Sequence, residues 1–162
     1  MQEGPKGHAL NLVLDTNIVL DLWVYEEPVV ESLRQALASP DTQWMATAAM
    51  REELARVLTY PQIVKRLAAR ERPADAVLAQ FDRLAAIVPT APKAPYTCKD
   101  ADDQAFIDLA AQHRATLVSK DAAVLCMAKR LERLGVVVTR VFVSAAGEEP
   151  LVGGLARSSP LA

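Results

Sequence analysis

The chain has 162 residues, 51% of them hydrophobic and 23% charged, with ten prolines, two cysteines and a formal net charge of −2. That length fits a single domain with a sizeable core, and the apolar share is too high for a disordered chain. The composition offers no apolar run of about 18 residues to span a membrane, no disulfide or zinc framework from Cys98, Cys126, His8 and His113, and no polycation to coat nucleic acid. The first ten residues lack the basic stretch and apolar core of a secretory signal, so a cytoplasmic protein is expected.

Leu10 to Leu14 reads as a mostly apolar strand, followed by Asp15-Thr16-Asn17 as a turn with helix-capping chemistry. A helical pattern runs from about Pro28 to Ala38, and Gln43 to Ala46 forms a second short strand. An amphipathic helix follows from about Thr47 to Leu58; Tyr60-Pro61 ends it, since a residue before proline avoids helical dihedrals. Helices are predicted over 62–70 and 74–85, a short strand at Ile87-Val88-Pro89, and a loop from Pro89 to Pro95. Asp102 to Gln112 is helical, Ala115 to Val118 a strand, and Asp121 to Leu134 a single helix closed by Gly135. The β-branched run from Val136 to Val143 reads as the clearest strand of all. Strands apolar on both faces, alternating with helices, predict a three-layer α/β/α domain around a mostly parallel sheet. Its bounds are read as 10–143, after an N-terminal extension over 1–9 and before a flexible tail over 144–162.

In such a sheet the functional crevice lies at the carboxyl ends of the strands. Asp15 closes the first strand there, and Asp121 follows Val118 by three positions. Taken singly, either aspartate is more simply a helix N-cap. The helices add two more acids. At about 100° per residue, Glu53 falls on the flank of the apolar arc made by Met50, Leu54, Val57 and Leu58, whereas Glu52 faces solvent. In the later helix Asp103 points with Ile107 and Ala110, while Asp108 points away. Inward carboxylates are costly unless something pairs them. One partner would be an ion-pair network drawing on Lys120 and Arg51. The other is a hard divalent cation such as Mg²⁺ or Mn²⁺, which takes oxygen ligands, lowers the pKa of a bound water and orients it for attack on phosphorus. Without metal the four acids repel one another, and at least one pKa rises.

These residues fall in a pattern that resembles the PIN-domain family, and within it the VapC-like toxins of bacterial toxin–antitoxin pairs. Leu12 to Trp23, with Asp15-Thr16-Asn17 at the strand end, resembles the first family motif. Glu53-Leu54, followed by Val57-Leu58 and Pro61, is similar to the second. Cys98 to Asp103 with Phe106, Ile107 and Ala110 resembles the third, and Leu117-Val118-Ser119-Lys120-Asp121 the fourth, with Ser119 in a threonine position. The resemblance spans about Leu10 to Val143. It implies a metal-dependent ribonuclease, often a homodimer, in which Asp15, Glu53, Asp103 and Asp121 form the acidic metal site. Asn17 and Ser119 would be polar supports, and Asp100 or Asp102 could support or replace the third acid. It also implies an antitoxin partner.

RNA must be held as well as cut. The stretch from Arg51 to Arg72 carries Arg51, Arg56, Lys65, Arg66, Arg70 and Arg72 against Glu52, Glu53 and Glu71, and Lys120 to Arg140 is also locally basic. Of these, Arg51, Arg56 and Lys120 are the candidate phosphate contacts, weighed against ordinary solvated helix faces. Tyr25 and Trp23 could stack on bases, although Trp23 and Trp44 are more simply packing residues, and the cysteines inert thiols. His113 reads as a helix C-terminal dipole partner. Two other functions compete: a PIN-like module that binds RNA or protein without cutting, and a phosphoreceiver domain using Asp15 with a nearby lysine.

Overall fold

A computed structural model of the chain describes residues 10–143. Five strands form one sheet: β1 (Leu10–Leu14), β2 (Thr42–Ala46), β3 (Ala85–Ile87), β4 (Thr116–Val118) and β5 (Val137–Thr139), in the order β3-β2-β1-β4-β5. Every pairing is parallel, with Leu12 opposite Trp44 on one side and Thr116 on the other. Helices α1 (Thr16–Trp23), α2 (Glu31–Leu37), α3 (Ala48–Val57), α4 (Pro61–Ala69), α5 (Ala74–Leu84), α6 (Gln104–His113), α7 (Ala122–Leu125) and α8 (Ala128–Glu132) flank it. This is the α/β sheet architecture expected, and wholly rather than mostly parallel.

The central strand explains the topology. Leu12, Val13 and Leu14 are all buried, so β1 must be covered on both faces. α6 packs against β1 and β4, α2 against β2, and α8 against β5. Trp44 on β2 is the largest fully buried side chain; it stacks on Trp23 at 5.8 Å and meets Phe81 edge-on at 4.9 Å, so both tryptophans are core. From β1 the chain first builds outward through β2 and β3, then returns to add β4 and β5 on the other side. The switch point therefore lies between β1 and β4, where a parallel sheet opens its ligand crevice.

Four predicted elements differ from those observed; one is the strand placed at Ile87–Pro89, which lies at Ala85–Ile87, directly after α5. The run from Val136 to Val143 is strand only over Val137–Thr139. Among the described residues β5 is an edge strand whose sole partner, β4, offers three residues; β-branched composition expresses a propensity, but a ladder needs a partner at every position. The helix predicted over 121–134 is two helices, α7 and α8. Met127 between them leaves helical geometry, bonds to Val124 in a tighter turn, and so drops its side chain into the core at 1% exposure. The helix placed at 28–38 opens with a 3₁₀ turn at Pro28–Val30 before α2. Gly135 does close α8's turn, at φ +83°, where an added Cβ would meet the Arg114 side chain at 3.1 Å. The predicted extension and tail fall outside the described residues.

Asp108, expected to face away, is half-buried and accepts bonds from the Ala94 N–H and the Gln104 amide, both at 2.8 Å. Gln104 also accepts from the Cys98 N–H at 2.6 Å and donates to the Tyr96 carbonyl at 3.1 Å. Two residues of α6 thus fasten the proline-rich loop and fix the approach to Asp100.

Candidate metal centre

The switch point brings the strand-end acids together. The Asp15 N–H donates to the Val118 carbonyl at 3.1 Å, tying the ends of β1 and β4. Ser119, fully buried, donates its hydroxyl to Asp15 Oδ2 at 2.8 Å and accepts from the Asp121 N–H at 3.1 Å. One serine therefore sets the spacing of two carboxylates. Both aspartates are also N-caps: Asp15 Oδ1 accepts from the Asn17 N–H at 3.3 Å, and Asp121 Oδ1 from the Ala123 N–H at 2.9 Å. Capping and site-building are compatible here, because a helix that starts at a strand end aims its cap at the crevice.

Asp103 arrives from the other side. Asp100 caps the 3₁₀ turn Ala101–Asp103 through the Asp102 N–H at 3.0 Å, and that turn rotates Asp103 inward and Asp102 outward. Asp103 is 6% exposed, and its Oδ2 is buried with no hydrogen-bond partner among the described residues. One carboxylate oxygen from each of Asp100, Asp103 and Asp121 lies within 4.8 Å of the other two. Asp15 and Glu53 line the same cleft of about 350 Å³, next to this tightest group. Asn17 and Asp102 line it as well. Asp100 thus stands closer to the centre of the cluster than a supporting position suggests; its own turn carries it there.

The electrostatics follow from crowding. Burial, reinforced by the neighbouring Asp121, Asp15 and Asp100, pushes the Asp103 carboxyl up to about 8. Contact with the protonated Asp103 and the Ala123 N–H hold Asp121 below the usual carboxylate range. Burial also raises Asp15, against the bonds from Ser119 and Asn17, and raises Glu53, against the opposing charge of Arg56. The ion-pair alternative does not form here. Among the described residues none of the four acids is salt-bridged: Arg51 holds Asp82 at 2.6 Å, and Lys120 holds the buried Asp21 at 2.6 Å. Lys120 is thereby drawn away from Asp15, where a phosphoreceiver would need it. Asp21 gave no signal in the sequence beyond its place on the otherwise apolar α1. A partnerless buried oxygen, an all-oxygen donor set and no pairing cation together fit a hard divalent ion.

A model of the PIN domain matches residues 11–123. The chain belongs to the PIN-domain family. PIN domains are generally metal-dependent nucleases, and the acid cluster of this PIN domain fits such a metal site. No curated protein matches the chain significantly. Among the described residues no helix is long and apolar enough to cross a membrane. A larger depression of about 690 Å³ lies at the opposite, amino end of the strands, lined by residues such as Lys93, Arg114, Glu132 and Arg133. None of the clustered acids Asp100, Asp103 and Asp121 lines it, so it is not the candidate metal site of this PIN domain.

Proposed function

We propose that this protein is a Mg²⁺- or Mn²⁺-dependent endoribonuclease, the toxin half of a toxin–antitoxin pair, acting in the cytoplasm. The observation that carries the reading is the orphaned, buried Oδ2 of Asp103 within reach of Asp100 and Asp121. Asp100, Asp103 and Asp121 would hold the ion directly, with Asp15 and Glu53 completing the acidic wall. Bound there, a divalent ion supplies positive charge against the scissile phosphate and a water of lowered pKa. Asp103, kept protonated by burial and by its acidic neighbours, would have to lose that proton to hold a cation. Ser119 holds Asp15 and Asp121 at fixed separation throughout. Asp15, its two carboxylate oxygens held by the Asn17 N–H and the Ser119 hydroxyl, would serve as a fixed part of the acidic wall beside the ion.

Arg56 lies near enough to Glu53 to oppose its raised pKa and, among the described residues, is not salt-bridged, so it is the candidate phosphate contact free to serve. Arg51 and Lys120 would have to leave Asp82 and Asp21 to serve. The partners this reading expects are RNA, a cognate antitoxin and a second copy of the chain. The test is incubation of purified protein with a mixed RNA pool, with Mn²⁺ or with EDTA. Cleavage should require the ion and disappear in Asp15→Asn and Asp121→Asn; activity retained in EDTA, or in both variants, contradicts the reading.

A further inference from the structure

The two cysteines, expected from the sequence to be inert, converge on one atom. Where α7 ends, Met127 turns its N–H to the Val124 carbonyl. The Ala123 carbonyl accepts instead from two thiols, Cys98 Sγ at 3.5 Å and Cys126 Sγ at 3.3 Å. The sulfurs are therefore no farther apart than these two bonds laid end to end, although they come from different segments of the fold. Cys98 is buried and Cys126 exposed, so one thiol is shielded and the other is open to a dissolved oxidant.

The same pair stands against both segments that supply the clustered acids. Cys98 precedes Asp100 by two residues, and its N–H is fastened to Gln104 of α6 at 2.6 Å. On the other side, Ala123 donates its N–H to Asp121 Oδ1 at 2.9 Å while its carbonyl holds the two thiols. One buried alanine thus carries Asp121 on its amide and both sulfurs on its carbonyl. A change at the sulfurs reaches Asp121 through a single residue.

We propose that Cys98 and Cys126 form an oxidation site for hydrogen peroxide, and that their disulfide distorts the adjoining metal centre. The second clause rests on the metal-dependent reading above. The exposed Cys126 thiolate attacks one peroxide oxygen; the O–O bond breaks, the sulfur is oxidised to a sulfenic acid, and the other oxygen leaves as water. The Cys98 thiolate then attacks that sulfur, the S–O bond breaks, and the second oxygen leaves as water. Two thiols and one peroxide give one disulfide and two waters, with both thiol protons ending in water. Because Gln104 fastens the Cys98 backbone, the movement that closes the bond falls on α7. The disulfide also takes both S–H donors from the Ala123 carbonyl, so the amide that orients Asp121 shifts with it.

The test reads the bond and the ion separately. The reduced full chain is treated with hydrogen peroxide in EDTA, and its tryptic peptides are mapped by mass spectrometry with and without dithiothreitol. Wild type should yield a Cys98–Cys126 crosslink within one chain that dithiothreitol removes. After the EDTA is exchanged out, calorimetric titration should show Mn²⁺ binding roughly ten- to hundredfold more weakly to the oxidised chain than to the reduced one, the usual penalty for disturbing what orients a metal ligand. Cys126→Ser, exposed and still able to donate an O–H to Ala123, should form no crosslink and keep its Mn²⁺ affinity through peroxide treatment. That variant separates the disulfide from oxidation elsewhere in the chain. A Cys98 thiol left free by peroxide, crosslinks only between chains, or an unchanged Mn²⁺ affinity in the disulfide form would overturn the proposal. A mapped crosslink in a chain whose reduced form binds no Mn²⁺ would instead sink the metal-centre reading and leave the oxidation site standing.

Discussion

Raising the pH of the metal-free protein should destabilise it, and Asp103 is the reason. Its carboxyl titrates near 3.8 in the unfolded chain and at about 8 in the fold. The folded state therefore binds the proton more tightly. The stability this confers is fully present below pH 3.8 and is lost as pH rises through 8. Between pH 5 and 7 the unfolded chain has already released this proton and the folded one has not, so the slope approaches its single-proton limit of about 1.4 kcal/mol per pH unit. Over those two units the loss is roughly 2–3 kcal/mol, or about 6–10 °C in Tm for a domain of this size. The raised carboxyls of Asp15 and Glu53 act with the same sign. Thermal melts in EDTA across pH 5 to 8 read this directly. Asp103→Asn should flatten the slope and melt above wild type at pH 8. Mn²⁺ at a hundredfold excess over its Kd should restore about 2.7 kcal/mol to wild type. A variant with the wild-type slope in EDTA, or one less stable than wild type at pH 8, would show that Asp103 does not carry this pH dependence.

Ser119→Ala should cost about 1–3 kcal/mol, since it leaves Asp15 Oδ2 without its donor and the Asp121 N–H without its acceptor; chemical denaturation measures it, and cleavage should fall as well. Lys120→Ala should lower stability by about 1–3 kcal/mol, because the buried Asp21 loses its partner. Lys120→Ala/Asp21→Asn should recover most of that loss, and an unaltered melt in the single variant would show the pair to be unimportant. Binding of Mn²⁺ near pH 7 should release close to one proton per protein, seen by calorimetry in buffers of different ionisation enthalpy, and Asp103→Asn should abolish the release.

The sheet and the inward acids were legible because both rest on periodicity. Continuous apolar runs marked β1 and β4, and the helical arc separated Glu53 from Glu52 and set Asp103 on the apolar side. What periodicity does not encode is pairing. Nothing local to Val136–Val143 reveals that β4 offers only three partners. Nothing in α1 marks Asp21 as the residue that takes Lys120, or α5 as supplying Asp82 to Arg51. Those contacts join residues far apart in sequence through side chains that look like ordinary surface charges. The 3₁₀ turn that brings Asp100 to the centre was hidden for a related reason. Three acids within four positions look alike until the backbone decides which of them faces in.

The acids at the β1–β4 switch point are proposed to hold a divalent ion for RNA cleavage. The most direct measurement is cleavage of single-stranded RNA by the purified chain, with Mn²⁺, with EDTA, and with Asp121→Asn in Mn²⁺. Defined cleavage ends are expected in the first case and none in the other two. Cleavage that survives EDTA or the loss of the Asp121 charge would contradict that role for the acids.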